Sequence, residues 1–91
     1  MSPARWREFE DRREGMVHAM SGGLWLHRHI WMGRPMAHLV SSNRELLIAY
    51  GRAVGLNPER LQCKPLRDPR DRVRRDAWHW DLVGPWLPPN V

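Results

Sequence analysis

The chain has 91 residues, which bounds it to one domain whose folding removes only about 60–65% of the unfolded surface from water. A single cysteine, Cys63, excludes an internal disulfide framework and a cysteine-based structural zinc site, and no apolar run approaches the length that spans a bilayer. The net charge of +5 rests on fourteen Arg and one Lys against ten acids, a balance that favours solubility and attracts anions. A soluble cytoplasmic protein is the expectation, with no membrane partner.

Residues 1–23 form an N-terminal arm. Ser2-Pro3 offers a cap and an N1 proline, and Trp6, Phe9, Met16, Val17 and Met20 fall near one face of a helix over residues 2–20, with Gly15 its weak point. Ser21-Gly22-Gly23 then makes a joint. From Leu24 to Trp31, Leu24, Leu26, Arg28 and Ile30 alternate with Trp25, His27, His29 and Trp31, the period of a strand. Met32-Gly33-Arg34-Pro35 breaks the run, and Pro35 cannot occupy an internal ladder position. A second strand follows over 36–41.

Ser42 and Glu45 have the spacing of a capping box, Leu46, Leu47, Tyr50, Ala53 and Val54 share one helical face, and Gly55 supplies the stop, so a helix covers 43–54. Asn57-Pro58 restarts a short turn that closes with Leu61 and Gln62. Residues 63–76 read as a loop with local charge +3, from Lys64, Arg67, Arg70, Arg72, Arg74 and Arg75 against Asp68, Asp71 and Asp76. Ala77 to Val83 is a third strand ending at Gly84-Pro85, and 85–91 an extended proline-rich tail held by Trp86 and Leu87. The expected architecture is a small α+β domain over 24–84: a sheet of about three strands, one main helix packed on it, and the N-terminal helical arm.

Two groups of residues carry chemistry. Ser41 and Ser42 precede the amide-rich start of the 43–54 helix, where Arg34, Arg44, Arg72 and Arg75 would complete a phosphate site and His38 and Trp80 would line it. Plain helix capping by Ser42 and a solvated loop with self-paired charges explain the same residues without a ligand. His38, with His79 and Asp81 on the third strand and His27 or His29 from the first, supplies imidazole and carboxylate for a transition ion or an acid–base pair. The bland alternative is a set of core histidines satisfied by backbone or by the acid. Trp25, Trp31, Trp78 and Trp80 divide between core filling and exposed stacking surfaces.

Several segments resemble one family. Trp31-Met32-Gly33-Arg34-Pro35-Met36-Ala37-His38-Leu39-Val40-Ser41-Ser42 is similar to the W-x-G-R-x-x-x-H-L-V-S-D segment of the domain-of-unknown-function 4031 family, small proteins of bacteria and their phages. Ala49 to Leu56 is similar to that family's helix ending in Leu/Ile-Gly-Leu/Ile, Leu61-Gln62 to its Trp-Phe-Gln, and His79-Trp80-Asp81-Leu82 to its His-Tyr-Asp-Leu. Leu24 to Arg28 stands where the family tends to show Val-Tyr-Val-Asp-Asp. The resemblance covers about residues 24–82 and implies no assigned activity. Two departures matter: the family's paired acids are His27 and Arg28 here, and the Asp ending its second strand is Ser42.

The leading functional expectation is a non-enzymatic protein that binds a phosphate-bearing ligand, nucleotide or nucleic acid, through Arg34, His38, Ser41, Ser42, Arg44, Arg72, Arg75, His79, Trp80 and Asp81. A metal-dependent hydrolase or nuclease using His38, His79 and Asp81 is the second. The third is a phage-type protein that inhibits a host protein through the Trp6 and Phe9 arm. Composition and spacing specify neither a cofactor nor an oligomeric state.

Overall fold

A computed structural model describes residues 5–89 as one mixed sheet with a helix on each face. The strands are β1 (Trp6–Arg7), β2 (Leu24–Trp31), β3 (Arg34–Ser41), β4 (Gln62–Cys63) and, after a separate hairpin of β5 (Leu66–Arg67) and β6 (Arg74–Arg75), β7 (Trp78–Leu82). Their order is β1-β2-β3-β7-β4, with β1 parallel to β2 and the other neighbours antiparallel. Helix α1 is Arg12–Met20 and α2 is Arg44–Val54. The α+β class holds, but the sheet has five strands instead of three.

The two added strands are two residues long, too short to show a period. Trp6–Arg7 becomes a strand only because it pairs with Leu24 and Trp25, a long-range event that no local pattern announces. That pairing corrects the expected helix over 2–20. The helix starts at Arg12 because Asp11 is its cap, accepting from the Arg13 amide at 3.0 Å. The Ser2-Pro3 signal lies outside the described residues. Likewise the 63–76 loop contains a hairpin, centred on Asp68.

The central hairpin follows its sequence closely. β2 has the expected bounds, and Trp31 pairs with Arg34 across a two-residue turn of Met32 and Gly33, both at positive φ (49° and 78°). Arg34 and Pro35 are therefore strand residues and not part of the turn. Pro35 pairs with Ile30 on one side only, because β7 reaches no further along β3 than Ala37. Its missing amide removes no ladder bond.

The start of α2 differs from the expected capping box. Asn43 is the cap, its Oδ1 accepting from the Leu46 amide at 3.1 Å. Ser42 instead donates its hydroxyl to Ala19 O at 2.9 Å, joining the end of α1 to the start of α2. Gly55 ends the helix at φ 88°, as its type predicts.

The sheet's pleat sorts the core. On one face Leu24, Leu26, Ala37, Leu39, Trp80 and Leu82 pack against Leu47 and Tyr50 of α2. Each fully buried Leu contributes roughly 1.5–3 kcal/mol of transfer free energy. On the other face Trp25 and Val40 pack with Ala19 of α1, assisted by Phe9, Met16 and Leu66. Ala53, expected on the core face of α2, is exposed; Gly51 is buried in its place, under Trp80.

Three polar devices hold the periphery. Arg28 pairs with Glu8 at 3.0 Å and donates to the carbonyls of Pro88 and Pro89, binding arm and tail to the sheet. Trp86 donates Nε1 to Val54 O at 3.2 Å and so holds the tail, which opens with a 3-10 turn at Gly84–Trp86 and is not extended there as expected. Asp68, only 1% exposed, accepts from Arg70 at 2.6 Å and from Arg75 at 3.2 Å, and Arg75 also pairs with Asp71. Hydrogen bonds from the Arg70 side chain, foremost, hold the Asp68 carboxyl down at about 2.

Candidate metal and ligand site

The α1 face is not covered along its whole length. Helix α1 spans nine residues and covers Trp25 and Val40, leaving a cleft of about 300 Å³ over the middle of β2, β3 and β7. The pleat places His27 and His29 on this face, the β2–β3 register sets His27 opposite His38, and the β3–β7 register sets His38 opposite Asp81. His79, two residues before Asp81, points the same way. Four imidazoles and one carboxylate thus come from three neighbouring strands.

Their rings form a continuous series. Centroids lie 5.1 Å apart for Trp25 and His27, 5.9 Å for His27 and His29, and 4.6 Å for His29 and His38, all stacked. His79 meets His38 edge-on at 5.2 Å. At the end of the series Asp81 Oδ1 is 2.7 Å from His38 Nδ1 and 3.4 Å from His79 Nε2. The first is a hydrogen-bonding separation, and the buried Nδ1 has no other partner among the described residues. Gln62 on β4 donates to the other carboxylate oxygen of Asp81 at 3.2 Å and fixes its orientation.

Burial favours the neutral form of His27, His38 and His79. The pKa values of His38 and His79 are lowered first by desolvation, which outweighs the opposing pull of Asp81; the Lys64 charge lowers His79 further. His27 is lowered by desolvation and then by the charge of Arg12. Neutral rings carry the lone pairs that metal ligation needs. His38, His79 and Asp81 each offer one ligand atom, all within 4.8 Å of one another. Tetrahedral bonds of ~2.1 Å place ligand atoms ~3.4 Å apart, so side-chain movements of up to about 1.4 Å close the set on an ion.

The other expected site residues are elsewhere. Ser41 is fully buried and its Oγ accepts from the Asn43 amide at 2.9 Å, while the Ser42 hydroxyl is committed to Ala19. Trp80 is 1% exposed on the α2 face and donates Nε1 to Leu47 O at 2.8 Å. Arg34 stands seven strand residues from Ser41, roughly 23 Å at ~3.3 Å per residue. Arg44 begins α2, which packs on the face opposite the histidines, and Arg75 is matched to Asp68 and Asp71. Arg72 sits at the turn of the hairpin with φ 63°. The structure therefore joins His38, His79 and Asp81 and separates them from the helix start and the arginines.

Gln62 and Arg12 are members of the site that no local pattern announces, and Lys64, expected only as one of the basic residues of the 63–76 loop, lies beside His79. Gln62 belonged to a recognisable segment, but nothing local showed that a two-residue strand would bring it beside Asp81. Comparison with known protein families, with curated proteins and with solved structures finds no match.

Proposed function

We propose that the protein binds a divalent transition-metal ion through His38, His79 and Asp81, in a site of the hydrolytic type. The observation that carries this reading is the meeting of two neutral imidazoles and one positioned carboxylate at the edge of an open cleft. Three protein ligands leave a coordination position for water, and a bound ion of this kind brings the pKa of such water down to about 7. Gln62 supports the set by orienting Asp81, in the way outer hydrogen bonds fix metal ligands. Three of the segments that resemble the domain-of-unknown-function 4031 family deliver a part: His38, Gln62, and the His79–Asp81 pair. The family's acidic first strand has no counterpart here, since His27 and Arg28 stand in its place.

The test is titration of the purified protein with Co²⁺, read as visible absorption. One ion per chain is expected, with His38→Ala, His79→Ala and Asp81→Ala each abolishing the absorption while far-ultraviolet dichroism is unchanged. Absorption that survives all three substitutions refutes the assignment.

A further inference from the structure

We propose that the cleft takes a phosphate ester, its anionic group held between Arg12 and Lys64 with its organic part against Met16 and Leu66. This rests on the metal reading for the orientation of the ester but not for the grip on its phosphate. Arg12, in the first turn of α1, and Lys64, directly after β4, both line the cleft, Arg12 close to His27 on β2 and Lys64 close to His79 on β7. Neither cation forms an ion pair among the described residues, whereas Arg28, Arg70 and Arg75 all do. Two uncompensated cations in one partly apolar hollow favour an anion there.

The charge balance selects its class. Counting ligated imidazoles as neutral donors, Asp81 is the one anion among the described residues of the site against Arg12, Lys64 and a divalent ion, a net charge of about +3 when loaded. A phosphate dianion offsets more of that than a carboxylate and offers three acceptor oxygens for a guanidinium fork, an ammonium and an ion at once. The volume sets the size. About 300 Å³ accommodates a phosphate with a small substituent, such as one nucleotide's sugar, and not a duplex. The side chains of Met16 and Leu66, packed beside Trp25, supply the apolar wall such a substituent needs.

Calorimetric titration with inorganic phosphate, on ion-loaded and ion-free protein, tests this with Arg12→Gln, Lys64→Gln and, as control, Arg52→Gln at the exposed end of α2. Each of the first two substitutions is expected to weaken phosphate binding by about tenfold or more while the control matches the parent protein. Binding that is absent from every protein, or equal in all of them, overturns the proposal. Co²⁺ titration of the same variants separates the two readings. Loss of the metal result with phosphate binding still sensitive to Arg12 and Lys64 removes the ion and retains the phosphate grip; the reverse removes the grip alone.

Discussion

Replacing Gly51 by Ala sets two opposed effects against each other, and the structure decides between them. In a helix interior Ala is favoured over Gly by about 1 kcal/mol, so local propensity predicts stabilisation. The new Cβ, however, would lie 2.5 Å from Cζ2 of Trp80, where carbon atoms rest at ~3.5–4.0 Å, so ring or helix must move by about 1 Å. Trp80 is 1% exposed and anchored by its bond to Leu47 O at 2.8 Å, which leaves the ring nowhere to retreat without loosening that bond. Overpacking costs about 1–3 kcal/mol and the strained indole bond about 0.5–1.5 kcal/mol, giving a net destabilisation of roughly 1–3 kcal/mol. Urea unfolding followed by tryptophan fluorescence measures it, with Ala53→Gly at an exposed position of the same helix as a propensity-only control expected to lose about 1 kcal/mol. A Gly51→Ala protein as stable as the parent, or more stable, refutes the close helix–ring packing.

Further outcomes follow from other parts of the molecule. His27, His38 and His79 have folded pKa values below the ordinary 6.5, so below that pH the unfolded chain binds more protons. Stability should be level above about pH 7 and fall on acidification toward the folded values, visible as a lower urea midpoint at about pH 5 than at about pH 7.5. Asp68 adds a second, more acidic window: its contribution is present above 3.8 and lost as pH falls toward about 2. Asp68→Asn removes the charge that Arg70 and Arg75 share and should speed hydrogen exchange of the 66–75 hairpin while leaving β2 and β3 protected; unchanged exchange there contradicts its role. Met32 is 85% exposed and held at φ 49°, a conformation Asn tolerates better in this turn, so Met32→Asn should stabilise by about 1 kcal/mol in thermal unfolding.

What was legible in the sequence was what local pattern dictates. The alternation from Leu24 to Trp31 marked a strand to the residue, and Gly55 marked the end of α2 because a left-handed stop needs glycine. His38, His79 and Asp81 could be grouped because H-x-D shares a strand face and strands of such length pair. Gly15, by contrast, reads locally as a helix weakness. In the fold it is the point where α1 approaches Trp25, a Cβ there meeting the indole at 2.2 Å, just as Gly51 admits Trp80 on the other face. β1, β4 and the Asp68 hairpin depend on partners distant in sequence, and so did the membership of Gln62, Arg12 and Lys64 in the site. The expected phosphate site at Ser41 and Ser42 failed for a physical reason: those hydroxyls are spent on Asn43 and Ala19, and α2 lies across the sheet from the histidines.

In the proposed site β3 and β7 bring two imidazoles and a carboxylate onto one ion. X-ray absorption at the zinc edge, on protein loaded with one equivalent of Zn²⁺ and freed of excess by gel filtration, tests it most directly. The expected result is a retained ion with two imidazole nitrogens and oxygen ligands at ~2.0–2.2 Å, and loss of one of the two nitrogens in His79→Ala. An ion that washes away, or a shell containing sulfur from the exposed Cys63, contradicts it.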